Sequence, residues 1–125
     1  MKTQNLFYAH LVDLRDLEEL LNHKDIEHEE RVSLLSTAQE TIHIEVIHFI
    51  LEQIPDHERH VFMHNVEHKP HDTGLWLYVT KRIDGADDKI VNIIHQVKQD
   101  FKEALHEYKE ASEEWLSGVD IRHGY

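Results

Sequence analysis

Toward the C-terminal end of the chain, Ile90, Ile94, Val97, Phe101, Ala104, Tyr108, Ala111 and Trp115 return at alternating intervals of four and three residues. That heptad rhythm predicts a long amphipathic helix whose seam packs on a partner face. Upstream, Val32, Leu35, Gln39, Ile42, Val46 and Phe49 repeat in the same way and predict a helix over residues 26–53. A first helix is expected over residues 6–23, starting with a turn and continuing behind Asp13 with Leu14, Leu17, Leu20 and Leu21 on one face. Pro55 ends the second helix and opens a third that runs to about residue 67. Its fixed φ suits a helix start, and the acids Asp56 and Glu58 suit the positive end of the helix dipole.

Residues 75–83, LWLYVTKRI, carry two opposed signals. Their β-branched and aromatic content suits a strand, whereas Asp72 and Thr73 in front of them suit a helix cap. A lone strand among helices has no ladder partner for its backbone groups, so a short fourth helix is expected. The fold class is therefore all-α: a single-domain bundle of about five helices over residues 1–118, followed by a flexible tail at 119–125. A fifth helix of about 28 residues is roughly 42 Å long. Its far end, around Tyr108 and Trp115, overhangs the bundle and is a candidate self-association surface.

Composition narrows the function classes. The 125 residues include 25 acidic and 13 basic side chains, a formal charge of -12, and no cysteine. A chain of this length buries roughly two-thirds of its unfolded surface, and a disulfide scaffold is excluded. Nucleic-acid binding needs clustered Lys and Arg, and the densest basic pair here is Lys81-Arg82. No apolar run is long enough for a membrane span, and the first ten residues lack a signal-peptide core, so the expected location is the cytosol. Nucleic acid and membrane are thus not expected partners; another protein or a second copy is.

Thirteen histidines are the compositional oddity, and their full protonation would take the charge from -12 to about +1. His57, His60, His64, His68 and His71 follow one another at spacings of 3, 4, 4 and 3, so a continuous helix would confine them to one face, opposite Phe62 and Val66. Histidines at i and i+4 can share a divalent transition metal such as zinc, nickel or copper, which makes His57, His60, His64 and His68 the candidate ligands. The same spacing also describes a solvated, titratable stripe, and both readings stay open. A pH switch would need two conformations biased by protonation.

Other catalytic constellations are missing. Without cysteine there is no thiol nucleophile, and Ser33, Ser36, Ser112 and Ser117 lie in helical or terminal contexts rather than in a strained turn. Gly74, Gly85, Gly118 and Gly124 stand apart, so no loop cradles a phosphate. Adjacent carboxylates such as Glu18-Glu19 and Glu113-Glu114 diverge on a helix and serve solvation. Trp76 and Tyr78, flanked by Leu75, Leu77 and Val79, are either a core plug or a docking site. A non-catalytic binding or assembly module is the leading reading, with Trp76, Tyr78, Tyr108 and Trp115 as candidate contacts.

Two resemblances bear on this. His10, the HxxxE of His48 and Glu52, the HxxxH of His60 and His64, and the HxxxxD of His95 and Asp100 resemble, in that order, the ligand series of hemerythrin-like proteins. That resemblance implies a four-helix bundle holding a di-iron centre on these seven residues, with Glu52 and Asp100 bridging. On a helical wheel, however, His48, Glu52 and His95 fall more than about 100° from the apolar seams of their helices. Ferritin-like Glu-x-x-His pairs, Glu40 with His43 and Glu103 with His106, fare no better, since Glu40, Glu103 and His106 turn away from the seams. The order of Glu40-Thr41-Ile42, Val46-Ile47, residues 50–55 (ILEQIP), Phe62, residues 75–79 and Ile83-Asp84 also resembles an uncharacterised small helical family of candidate-phyla bacteria. That likeness implies an all-helical fold and no transferable catalytic residue.

Overall fold

The computed structural model describes residues 6–23 and 26–122, with side chains described as far as His106. Regular structure among them is helical throughout. A 3-10 turn, Ala9–Leu11, precedes five α-helices: α1 Arg15–His23, α2 His28–Gln53, α3 Asp56–His68, α4 Thr73–Arg82 and α5 Ala86–Arg122.

Turn chemistry sets most of the boundaries. Only Ile54 and Pro55 separate α2 from α3; the Ile54 N–H still bonds the Ile50 carbonyl, and the Pro55 carbonyl accepts the Glu58 N–H. Asp72 caps α4, its Oδ1 accepting the Gly74 N–H at 2.9 Å. Helix therefore prevails over strand in this segment, and Leu75, Val79 and Ile83, spaced by four, all become buried. Gly85 stands at φ 64°, a conformation that favours glycine, and its carbonyl accepts the Lys89 N–H in the first turn of α5.

The expected first helix is two pieces. Val12 is extended, with φ -95° and ψ 124°, and the chain restarts as α1 only at Arg15. Asp13 organises that restart, accepting the Arg15 N–H at 3.1 Å and the Arg15 guanidinium at 2.8 Å and 3.0 Å. Arg15 holds the Asp13 carboxyl far below the usual carboxylate range. Two lysines of α5 fasten this corner: Lys98 donates to the Asp13 carbonyl, and both Lys98 and Lys102 pair with Asp16. Burial works against the ionised Asp16, yet Lys102 and Lys98 keep its carboxyl below the ordinary value. The bend turns Phe7 and Tyr8 into the core, where Tyr8 is fully buried.

Helices α2 and α5 form the most extensive pairing of the bundle. Their inward faces follow a steeper line than a strict heptad. On α2, Ala38, Ile42, Val46 and Ile50 are buried, Leu35, Gln39 and Phe49 are half-buried, and Val32 is 53% exposed. On α5, Ile90, Ile94 and Val97 are buried and Phe101 is half-buried, but Leu105 rather than Ala104 takes the next inward place. An unsupercoiled helix turns about 20° per heptad away from a 3.5-residue repeat, and an added four-residue step, which advances about 40° the other way, offsets that drift. Helix α5 has 37 residues and so spans about 55 Å. It runs on through residues 119–122. The side chains of Tyr108, Ala111 and Trp115 lie outside the described residues.

Candidate functional site

Helices α3 and α4 form an antiparallel hairpin, so the first turn of α3 faces the last turn of α4. The 3.6-residue period places Glu58, Phe62 and Val66 along one face of α3, with Phe62 and Val66 buried and Glu58 half-buried. On α4, Leu75 and Val79 are buried, and Tyr78 and Arg82, one turn apart, reach toward α3. Between the helices lies an open cleft of about 480 Å³. Val61, Phe62, Leu75 and Tyr78 supply its apolar lining, and Glu58 and Arg82 close one end.

The polar end of the cleft is a compact network. Tyr78 donates its O–H to Glu58 Oε1, and Arg82 Nε donates to the same oxygen at 3.0 Å. The Arg82 guanidinium also lies 4.8 Å from the centroid of the Tyr78 ring, and the Phe62 and Tyr78 rings stack at 5.9 Å. His57 Nε2 stands 3.6 Å from the other Glu58 oxygen. The Tyr78 hydroxyl first, then Arg82, holds the Glu58 carboxyl below the usual carboxylate range; burial, aided by Glu58, raises the Tyr78 phenol. A carboxylate that stays ionised and already accepts from two donors is poorly poised to remove a proton at neutral pH. Its geometry instead fixes the Tyr78 ring as a rigid wall of the cleft.

Comparison with family models, with curated proteins and with solved structures finds no match to this chain. The site is therefore read from its own geometry.

Tyr78 is the sequence-selected contact residue that the cleft contains. Trp76, two positions earlier, points elsewhere because neighbours at i and i+2 diverge by about 200° on a helix. Its half-buried indole meets the His10 ring edge-on at 4.7 Å, packing α4 against the N-terminal turn. Tyr108 and Trp115 cannot be placed relative to the cleft, their side chains being outside the described residues.

The histidines separate into distinct environments. His10, His48, Glu52, His60, His64, His95 and Asp100, the seven positions of the hemerythrin-like series, are all exposed. Glu40, Glu103 and His106 are exposed too. Among the described residues no three His, Asp or Glu side chains converge as a metal ion would require. His57 borders the cleft, His60 is exposed one turn away, and His64 and His68 stack with ring centroids 4.2 Å apart.

His43 stands apart. Its Nδ1 and the Tyr8 hydroxyl share a hydrogen bond of 2.8 Å, with the rings stacked at 5.9 Å. Burial pushes the His43 imidazole below its ordinary value of 6.5 and the Tyr8 phenol far above its ordinary range. The unfolded chain therefore takes up the His43 proton before the folded one does. The stability due to neutral His43 is complete above pH 6.5 and declines as pH falls below that value, until the folded imidazole is also protonated. Urea unfolding of wild type and His43→Gln between pH 7.5 and about 5 tests this. Wild type should lose stability relative to the variant below about pH 6.5; parallel curves would contradict it.

Proposed function

We propose that this chain is a non-catalytic binding module whose α3–α4 cleft receives a basic peptide segment of another protein, an apolar side chain of the peptide resting on Phe62, Leu75 and Tyr78. The observation that carries this reading is the chemistry of the cleft: an apolar floor open to solvent, with the bonded Glu58, Tyr78 and Arg82 network at one end. Val61, on its rim, is 60% exposed, an apolar side chain left in water at the mouth of a concave surface. A volume of about 480 Å³ suits one or two large side chains of a partner. The formal charge of -12 favours a basic partner by steering its approach. Among the described residues no helix is long and apolar enough to cross a membrane.

Peptide display against the intact chain, followed by fluorescence-polarisation titration of the tightest peptide, tests the proposal. Selected sequences should combine Lys or Arg with a central aromatic or aliphatic anchor. Val61→Lys places a positive charge at the cleft mouth, repelling a basic peptide as well as removing the apolar rim, and should weaken that peptide at least tenfold, about 1.4 kcal/mol. Since Val61 is already exposed, the fold should survive. Peptides whose affinity is indifferent to Val61→Lys and to Leu75→Ala would overturn the assignment.

A further inference from the structure

Two carboxylates line the α3–α4 cleft, and their surroundings differ. Glu58, at one end, is committed: its Oε1 accepts from both the Tyr78 hydroxyl and Arg82 Nε. A second cation there would also meet the Arg82 guanidinium, a like charge. Asp72 stands at the other end, in the turn between the helices. Its Oδ1 accepts the Gly74 N–H at 2.9 Å, and among the described residues its Oδ2 has no hydrogen bond or ion pair. Even Lys69, whose carbonyl accepts the Asp72 N–H, does not pair with that carboxylate. Gly74 leaves one side of it uncovered, since a Cβ there would stand 3.2 Å from Oδ1 and 3.5 Å from Oδ2. Asn65 lines the cleft at the same end, half-buried, and among the described residues its carboxamide has no partner. It offers a ligand two N–H donors and a carbonyl acceptor.

We propose that Asp72 reads the cationic side chain of the bound peptide and that Asn65 holds the peptide backbone beside it, an inference that rests on the cleft being the peptide site. Asp72 precedes Leu75 by about 4.5 Å and Tyr78 by about 9 Å along α4. An extended peptide returns to the same face every second residue, about 6.6 Å on. A Lys or Arg two positions from the apolar anchor therefore meets Asp72 while the anchor rests on Phe62, Leu75 and Tyr78. On the other side of the anchor a basic residue approaches Arg82 and is selected against. The ligand is thus directional, with its cation on one side of the anchor only.

The test is a double-mutant cycle by fluorescence polarisation at low salt. It uses the tightest displayed peptide and an analogue with norleucine replacing the basic residue two positions from the anchor. Asp72→Asn removes the charge and keeps a good helix cap, so helical content and melting temperature should hold. It should weaken the basic peptide about three- to fivefold, as for an exposed ion pair, and leave the norleucine analogue within about 1.5-fold. Glu45→Gln removes one charge from an exposed position of α2 and should change neither peptide. Asn65→Ala should weaken both peptides alike, about threefold. Equal effects of Asp72→Asn on the two peptides, a loss matched by Glu45→Gln, or displayed peptides without a basic residue at that spacing would overturn the Asp72 assignment. Weakening by Val61→Lys would then still leave the peptide in the cleft, whereas indifference to Val61→Lys would remove the cleft and Asp72 together. Indifference to Asn65→Ala would overturn the backbone contact.

Discussion

Tyr8→Ala should lower the free energy of unfolding by about 3–5 kcal/mol, the range for removing a buried aromatic side chain. Tyr8 is fully buried, meets Phe7 edge-on with centroids 5.1 Å apart, and shares its hydroxyl with His43 Nδ1. Phe7 in turn meets Phe62 edge-on at 6.2 Å, so the N-terminal turn is packed onto the floor of the cleft. Loss of the Tyr8 ring would leave a cavity between that turn and α2. Tyr8→Phe keeps the ring and removes only the hydroxyl, and because His43 is half-buried and can still meet water, the cost should be about 1 kcal/mol. Urea unfolding of both variants measures the two values. A loss below about 1 kcal/mol for Tyr8→Ala would show that the N-terminal turn is not part of the folded core.

Ile42→Ala should cost about 2–5 kcal/mol, whereas Val32→Ala should change stability by no more than about 0.5 kcal/mol. Both residues belong to the heptad line read from α2, and only the structure separates them. Ile42 is fully buried in the main hydrophobic cluster, and Val32, almost three turns earlier, is 53% exposed. The same unfolding assay compares them. Similar losses at the two sites would mean that the strict heptad face, rather than the line through Ala38, Ile42, Val46 and Ile50, is turned inward.

The contrast between Ile42 and Val32 shows what sequence periodicity can convey. Apolar spacing identifies the helices and the middle of each inward face, where heptad and true helical period agree. It misplaces the ends, where the two periods have drifted apart, as at Val32 on α2 and at Ala104 and Leu105 on α5. Polar punctuation was legible wherever one side chain acts on its own backbone neighbourhood, as with Asp72 capping α4. The break at Val12 was not. Leu6, Phe7, Leu11, Val12 and Leu14 are apolar enough to be read as a helix, and their burial in a bent segment depends on tertiary packing.

Little of the cleft could be read beforehand, for a related reason. Tyr78 stood out by its aromatic character, but Glu58 had a sufficient local explanation as an acid at a helix start, and Lys81-Arg82 was only the densest basic pair of the chain. Their network joins residues 20 and 24 positions apart. It exists only because α3 and α4 pair antiparallel. One signal was available: Tyr78 and Arg82 share a helix face at i and i+4, so a single carboxylate opposite them can meet both. The Tyr8–His43 bond spans 35 positions and left no comparable local trace.

The binding assignment is tested most directly by mapping backbone amide shifts in a ¹H–¹⁵N spectrum while the tightest displayed peptide is titrated into the intact chain. The account predicts that the largest shifts fall within residues 57–65 and 72–82, the two stretches of backbone that border the cleft, and that Val61→Lys sharply reduces them at the same peptide concentration. Largest shifts on α1, α2 or α5, or an unchanged map with Val61→Lys, would contradict it.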